Sequence, residues 1–187
     1  MMIGYAFCGS FCTHKASVSQ LAELRSCGYD ILPIMSETVY SSDTRFGSCE
    51  NLRNQVSQIC GREIVHTIID AEPLGPQISL DALVICPCTG NTLAKMAHGI
   101  TDTSVTMAAK AHLRCNRPLI IALASNDALS ANLKNISQML NRKCVYFVPL
   151  SQDDPVNKPH SLVADFSLLR PTLEEALQGR QYQKVFM

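Results

Sequence analysis

The sequence predicts an α/β fold built on a parallel sheet with helices on both faces. Three observations carry this. Short apolar runs bounded by turn residues alternate along the chain with segments whose apolar residues repeat at helical spacing. Those runs are apolar throughout rather than alternating, as strands buried on both faces are. Finally, strand ends carry small, hydroxyl or amide residues: Gly9-Ser10, Ser36, Thr89 to Thr92, and Ser125-Asn126.

Taken in order, Ile3 to Cys8 is the first strand, stopped by Gly9-Ser10, and Val18, Leu21, Ala22 and Arg25 mark a helix that Gly28 ends. The turn is not GxGxxG, so the dinucleotide fingerprint is absent. Gly-Ser at a helix start can hold a phosphate on backbone N–H groups and the Ser10 hydroxyl, or be an ordinary turn with Ser10 or Thr13 as cap. Ile31 to Met35 is the second strand. The polar stretch from Tyr40 to Glu50 reads as loop, and Leu52, Val56 and Ile59 give a helix ending near Gly61. Ile64 to Ile69 reads as a third strand, followed by an irregular connection through Pro73, Gly75 and Pro76.

The fourth strand, Ala82 to Cys86, breaks at Pro87 into the polar turn Cys88-Thr89-Gly90-Asn91-Thr92. Leu93, Met96, Ala97 and Ile100 then form one helical stripe, closed by Gly99 and Asp102. A second helix carries Val105, Ala108, Ala109 and His112 and ends before Pro118. Leu119 to Leu123 is the fifth strand, Leu129, Leu133, Ile136 and Leu140 mark a helix, and Val145 to Val148 is the sixth strand. Pro149 to Pro159 reads as loop or arm, with a short helix near Leu173 to Leu177. Residues 1–148 therefore form the α/β domain, and 149–187 a C-terminal arm and helix packed on it. In a parallel sheet the polar strand ends share one edge, so they can converge on one ligand.

Composition narrows the partners. Lys+Arg equals Asp+Glu at 16 each, so no global field attracts nucleic acid or an anionic membrane. The nine cysteines are odd in number and sit mostly in apolar runs, with no CxxC, which predicts reduced thiols and no metal knuckle. The opening MMIGYAFCGS lacks a basic region and its apolar run is too short for a signal peptide or span.

The run PCTGNTLAKMAHGITD (Pro87 to Asp102), with the Gly-Ser turn before it and an Ala-x-Asn turn after it, resembles the flavoprotein family of flavin-containing cysteine decarboxylases and flavin prenyltransferases. The resemblance implies a three-layer Rossmann-like, flavodoxin-type fold with a six-stranded, mostly parallel sheet. It also implies flavin mononucleotide (FMN) at a subunit interface of a homo-oligomer. By position, Gly9, Ser10 and Ser36 would lie near the phosphate and ribityl chain, and Cys88, Thr89, Gly90, Asn91 and Thr92 near the phosphate or the isoalloxazine. Asn126 and Lys158, on the arm, would meet the substrate.

AEPLGP (Ala71 to Pro76), LASNDALSANLKNI (Leu123 to Ile136) and YFVPLSQDDPVNKPHSLVADF (Tyr146 to Phe166) narrow the resemblance. They point to a branch of two-subunit synthases forming pyridine-2,6-dicarboxylate from a dihydro or hydroxy-tetrahydro precursor. That branch implies a partner A subunit with an NAD(P) site, a small dicarboxylate substrate, and the cytoplasm of a spore-former's mother cell. Two other classes fit the same residues: a non-catalytic scaffold or regulatory subunit, and a prenyltransferase- or decarboxylase-like enzyme. Cysteine decarboxylases carry a histidine just before the strand leading into the central motif. Pro73 to Leu80 has none, and His66 lies earlier in what reads as an apolar strand.

Other side chains have simpler readings. Lys95, Lys110 and Arg114 are further candidate cations, with the two lysines read as solvated helix faces. Cys88 is either an exposed thiol of lowered pKa or a small packed residue. His98 reads as an interface or capping residue, and His14 as exposed by default, with a place beside a phosphate as the alternative.

Overall fold

Strand β1 (Met2–Phe7) is apolar because it is covered on both faces: Ile3, Tyr5, Ala6 and Phe7 are fully buried. It pairs in parallel with β2 (Asp30–Met35) on one side and β3 (Ala82–Thr89) on the other. The computed structural model describes residues 1–75 and 77–187, so Pro76 of the AEPLGP stretch lies outside the described residues. Beyond β3 comes β4 (Leu119–Ser125), also parallel, whose far edge is shared. The first half of β4 pairs in parallel with β5 (Val145–Phe147), and its last two residues pair antiparallel with β7 (Leu162–Ala164). Strand β6 (Leu150–Ser151) closes the edge against β7.

The class is the predicted one, a mostly parallel sheet between two helical layers, with two corrections. Ile64 to Ile69 is not a strand. Val65 makes one bridge to Ile34, and Thr67 then accepts from the Asp70 N–H at 3.1 Å and starts helix α4 (Ile68–Ala71). The T-x-x-D cap overrides the apolar run, leaving Ile69 exposed. Pro149 to Pro159 is not wholly loop, because Leu150 and Ser151 are the edge strand β6.

Helix α1 (His14–Ser26) packs with α3 (Cys49–Cys60) and α8 (Leu169–Leu177) on one face. On the other lie α4, α5 (Gly90–Ala97), α6 (Ser104–Leu113) and α7 (Leu133–Leu140). A short helix, α2 (Glu37–Ser41), capped by Ser36, follows β2 in a stretch with no readable periodicity. The buried Tyr5 hydroxyl donates to Ser17 O at 2.8 Å, and Ser17 Oγ donates to Cys86 O, so one polar chain clamps α1 onto β1 and β3.

His112, on α6, is fully buried: Nε2 donates to Pro118 O at 2.9 Å, while Nδ1 has no partner among the described residues. Burial pushes its pKa down to about 4 from 6.5. The folded state therefore holds this ring neutral where the unfolded chain would protonate it. Stability is complete above the unfolded value and falls as pH drops from 6.5 through about 4. The expected loss is about 3 kcal/mol by the bottom of that window. Denaturant titrations of wild type and His112→Gln should show it; equal acid sensitivity in both would overturn the assignment.

Candidate functional site

In the strand order β2-β1-β3-β4 the direction of travel reverses at β1, so a crevice opens beyond the carboxyl ends of β1 and β3. The residues there form a cleft of about 820 Å³. Gly9 and Ser10 line it after β1, Thr89, Gly90 and Asn91 at the β3–α5 junction, and Ala124 and Ser125 at the end of β4 with Asn126 and Asp127 just beyond it.

The junction is built by a break in the β3–β4 register between Ile85 and Cys88, spanning Pro87. The strand thus runs past Pro87, correcting the predicted break, and α5 starts directly at Gly90. Thr89 Oγ1 accepts from Thr92 N at 3.1 Å and donates to Thr92 Oγ1 at 3.0 Å, and Thr92 Oγ1 in turn donates to Cys8 Sγ at 3.3 Å. These two hydroxyls are committed to the cap and the core. The N–H groups of a first helical turn lack intrahelical acceptors, and those of Gly90 and Asn91 belong to residues lining the cleft. Ser10 precedes a short 3₁₀ turn and its hydroxyl makes no capping bond, and the exposed Asn91 lines the same cleft.

Opposite α5 lies a polar wall of which the turn signal after the strand announces Ser125 and Asn126, but not the way Asp127 and Asn132 close on them. Asp127 Oδ1 accepts from Ser125 Oγ at 2.6 Å and Asn132 Nδ2 at 2.9 Å, and its Oδ2 accepts from the same amide at 2.9 Å. The Ser125 hydroxyl first, and the Asn132 amide second, hold the Asp127 carboxyl below its usual range, so it is ionised at neutral pH. Asn135 donates to Asn132 Oδ1 at 2.8 Å, and its own Oδ1 is buried without a partner among the described residues. Gly90 makes the close approach possible. A Cβ there would run into Ser125 Oγ, would lie 2.6 Å from Asn132 Nδ2, and would lie 3.0 Å from Asp127 Oδ1. The available signal was the repeated Asn, Asp and Ser of SNDALSANLKN.

The predicted residues divide. Gly9, Ser10, Thr89, Gly90, Asn91 and Asn126 come together on the cleft; Thr92 is buried behind it. Cys88 is fully buried and its thiol is pushed well above the ordinary value by burial, so it is a packed residue rather than a ligand-facing thiol. Ser36 does not line this cleft. Its hydroxyl accepts from Val39 N at 3.4 Å and starts α2. Lys158 is exposed and pairs with Asp153 at 2.6 Å, off the cleft wall. Its arm is nonetheless adjacent, since His160 O accepts from Leu129 N at 2.9 Å and Ser161 Oγ donates to Ser125 O at 3.3 Å. Among the described residues the cation lining the cleft is Lys134, and His98 lines it too.

Two histidine readings change. His14 is buried, and its Nε2 donates to Cys8 O at 2.8 Å, with burial lowering its pKa. His66 lies in irregular chain between the Val65 bridge and α4, not in a strand, and stacks on Tyr40 with centroids 3.7 Å apart. Among the described residues no helix is long and apolar enough to cross a membrane.

A profile of the flavoprotein family matches residues 62–165, more than half the chain. The B subunit of dipicolinate synthase from Bacillus subtilis (strain 168) is 40% identical over 185 residues, 99% of this chain and 92% of that protein. The crystal structure of the corresponding dipicolinate synthase B subunit from Bacillus halodurans superposes with a TM-score of 0.92 at 40% identity, covering all of this chain and 95% of that one. The FMN-dependent cysteine decarboxylase SpaF gives a TM-score of 0.68 at 25% identity over 94% of this chain and 97% of its own.

Proposed function

We propose, since this chain belongs to the flavoprotein family, that it is the FMN-binding B subunit of a dipicolinate synthase. With an A subunit carrying the NAD(P) site, it would form pyridine-2,6-dicarboxylate from a dihydro or hydroxy-tetrahydro precursor. The observation that carries this is end-to-end similarity to the B subunit of a dipicolinate synthase, combined with a polar cleft at the sheet's switch point.

The residues suit the cofactor. The α5 N-terminus and the Ser10 hydroxyl offer donors to a phosphate. The ionised Asp127 and the unpartnered Asn135 Oδ1 offer acceptors to hydroxyl or imide groups, and Ala94, Ala124 and Ala131 offer small apolar surface for a flat ring. Bound FMN would supply a two-electron acceptor, which aromatisation of a dihydropyridine requires. The protein holds and orients. Asn91 and Asn126 fix the ligands from opposite sides of the cleft, and Ser125 and Asn132 keep Asp127 charged. Lys134 is the nearer cation for a substrate carboxylate, with Lys158 reaching in from the arm once it leaves Asp153. FMN seated at a homo-oligomer interface completes the reading.

Two measurements test it. FMN titrated into the purified protein should lose fluorescence and raise the melting temperature, and no response at saturating flavin would sink the cofactor assignment. Dipicolinate formation should then require both subunits and fall by about tenfold or more with Asn91→Ala in this chain. Full activity from that variant would favour a scaffold role, with the chemistry on the A subunit.

A further inference from the structure

A second cleft, of about 430 Å³, lies on the outer side of the helical layer, away from the sheet edge. Its floor is apolar: Met96 and Ala109 are buried, with Leu113 half-buried beside them. Its rim carries Lys110 and Arg114, one turn apart at the end of α6, and Arg142 and Lys143 from the turn after α7. Cations at a helix C-terminus are favoured by the dipole, which accounts for Lys110 and Arg114 individually. It does not account for two further cations brought in from another element.

No Asp or Glu lines this cleft, and among the described residues none of the four cations pairs with a carboxylate. The chain has equal numbers of acids and bases, 16 of each, so a wholly basic cleft is a local imbalance. Lys95, close in sequence, shows the contrast: it has its own acid, Asp102, at 2.9 Å. Like charges gathered without counterions repel one another, and a bound anion relieves that repulsion. The guanidinium of Arg142 is also held in place, donating to Met96 O at 3.1 Å and keeping its other N–H groups available.

We propose that this cleft binds a small organic dianion with an apolar body, its charged groups on Lys110, Arg114, Arg142 and Lys143 and its body on Met96 and Leu113. The volume falls in the range of small-molecule sites. A dicarboxylate and a phosphomonoester share this chemistry, so both serve as probes. The proposal stands independently of the flavin reading, because it uses none of the same residues.

The test is titration of the methyl-labelled full-length protein with pyridine-2,6-dicarboxylate and, separately, with adenosine monophosphate, with calorimetry in parallel. At least one probe should bind saturably, shift the Met96 and Leu113 methyl signals, and weaken as salt rises. The probe that binds tighter identifies the source of the dianion. Lys110→Ala combined with Arg114→Ala should cost about tenfold or more in affinity, Arg114→Lys should restore part of a loss caused by Arg114→Ala, and Lys184→Ala, which removes an exposed cation outside both clefts, should leave the Met96 and Leu113 shifts unchanged. The proposal is overturned if neither probe moves these methyls, if the double variant binds as the parent does, or if sedimentation shows the same variant dissociating an oligomer that covers the cleft.

Discussion

Gly90→Ala should weaken FMN binding by about tenfold or more and cost about 1–3 kcal/mol of stability. The added methyl cannot move away, because it sits on the first turn of α5 with the β3 strand fixed behind it. It meets Ser125 Oγ and Asn132 Nδ2 at distances that real Cβ contacts do not show, and crowds Asp127 Oδ1 at 3.0 Å, so the wall opposite must retreat. Retreat breaks the Ser125–Asp127 and Asn132–Asp127 hydrogen bonds, which hold a charge partly out of water. Flavin fluorescence quenching reads the affinity, and denaturant unfolding reads the stability. Asn91→Ala should lose affinity with little stability change, since Asn91 is exposed. If Gly90→Ala binds flavin as the parent does, the wall and the first turn of α5 do not form one site.

The line of the cleft was legible because its elements announce themselves locally. Apolar runs ending in Gly9-Ser10, Thr89 and Ser125 put those groups on one edge of a parallel sheet, and the structure brings these three ends together. Ser36 shows the limit. A hydroxyl after a strand serves a helix cap and a ligand with the same chemistry, and here the cap takes it, through Val39 N at 3.4 Å. Thr89 and Thr92 were placed at the right turn, but their hydroxyls are committed to one another. The Asp127 wall was less legible still, because its meaning comes from the fit of Ser125, Asp127 and Asn132 against a missing side chain at Gly90, 35 or more residues away in the chain. Periodicity reports which face is buried, not which neighbour presses on it. The same limit hid the short antiparallel strands β6 and β7, whose two or three residues are too few to show a period.

Gly75→Ala should be the more destabilising change, costing about 3 kcal/mol or more and lowering the melting temperature by roughly 6–12 °C. AEPLGP marked a resemblance in the sequence without giving a physical reason, and Gly75 supplies one. Its φ is +117°, in the region that L side chains rarely adopt, and a Cβ there would lie 2.5 Å from Ala111 O and 3.0 Å from Ala111 C on the backbone of α6. The chain leaving α4 thus passes directly over the α6 backbone, and the Gly75 N–H fixes the turn by donating to Ile78 O at 2.8 Å. Neither the conformation nor the contact can be relieved by rotating a side chain. Gly99→Ala provides the control: its φ is +73°, but nothing lies within 4 Å of the added methyl. That variant should show only the backbone strain, about 1–2 kcal/mol. Parallel denaturant titrations of both variants compare them, and a loss at Gly75 no larger than that at Gly99 would mean that the close approach to α6 adds nothing to the cost. Because α6 also supplies Lys110 and Arg114, a Gly75→Ala variant that remains folded should bind an anion at the basic cleft less well than the parent, whereas Gly99→Ala, though its residue lines that cleft, adds its methyl to open space.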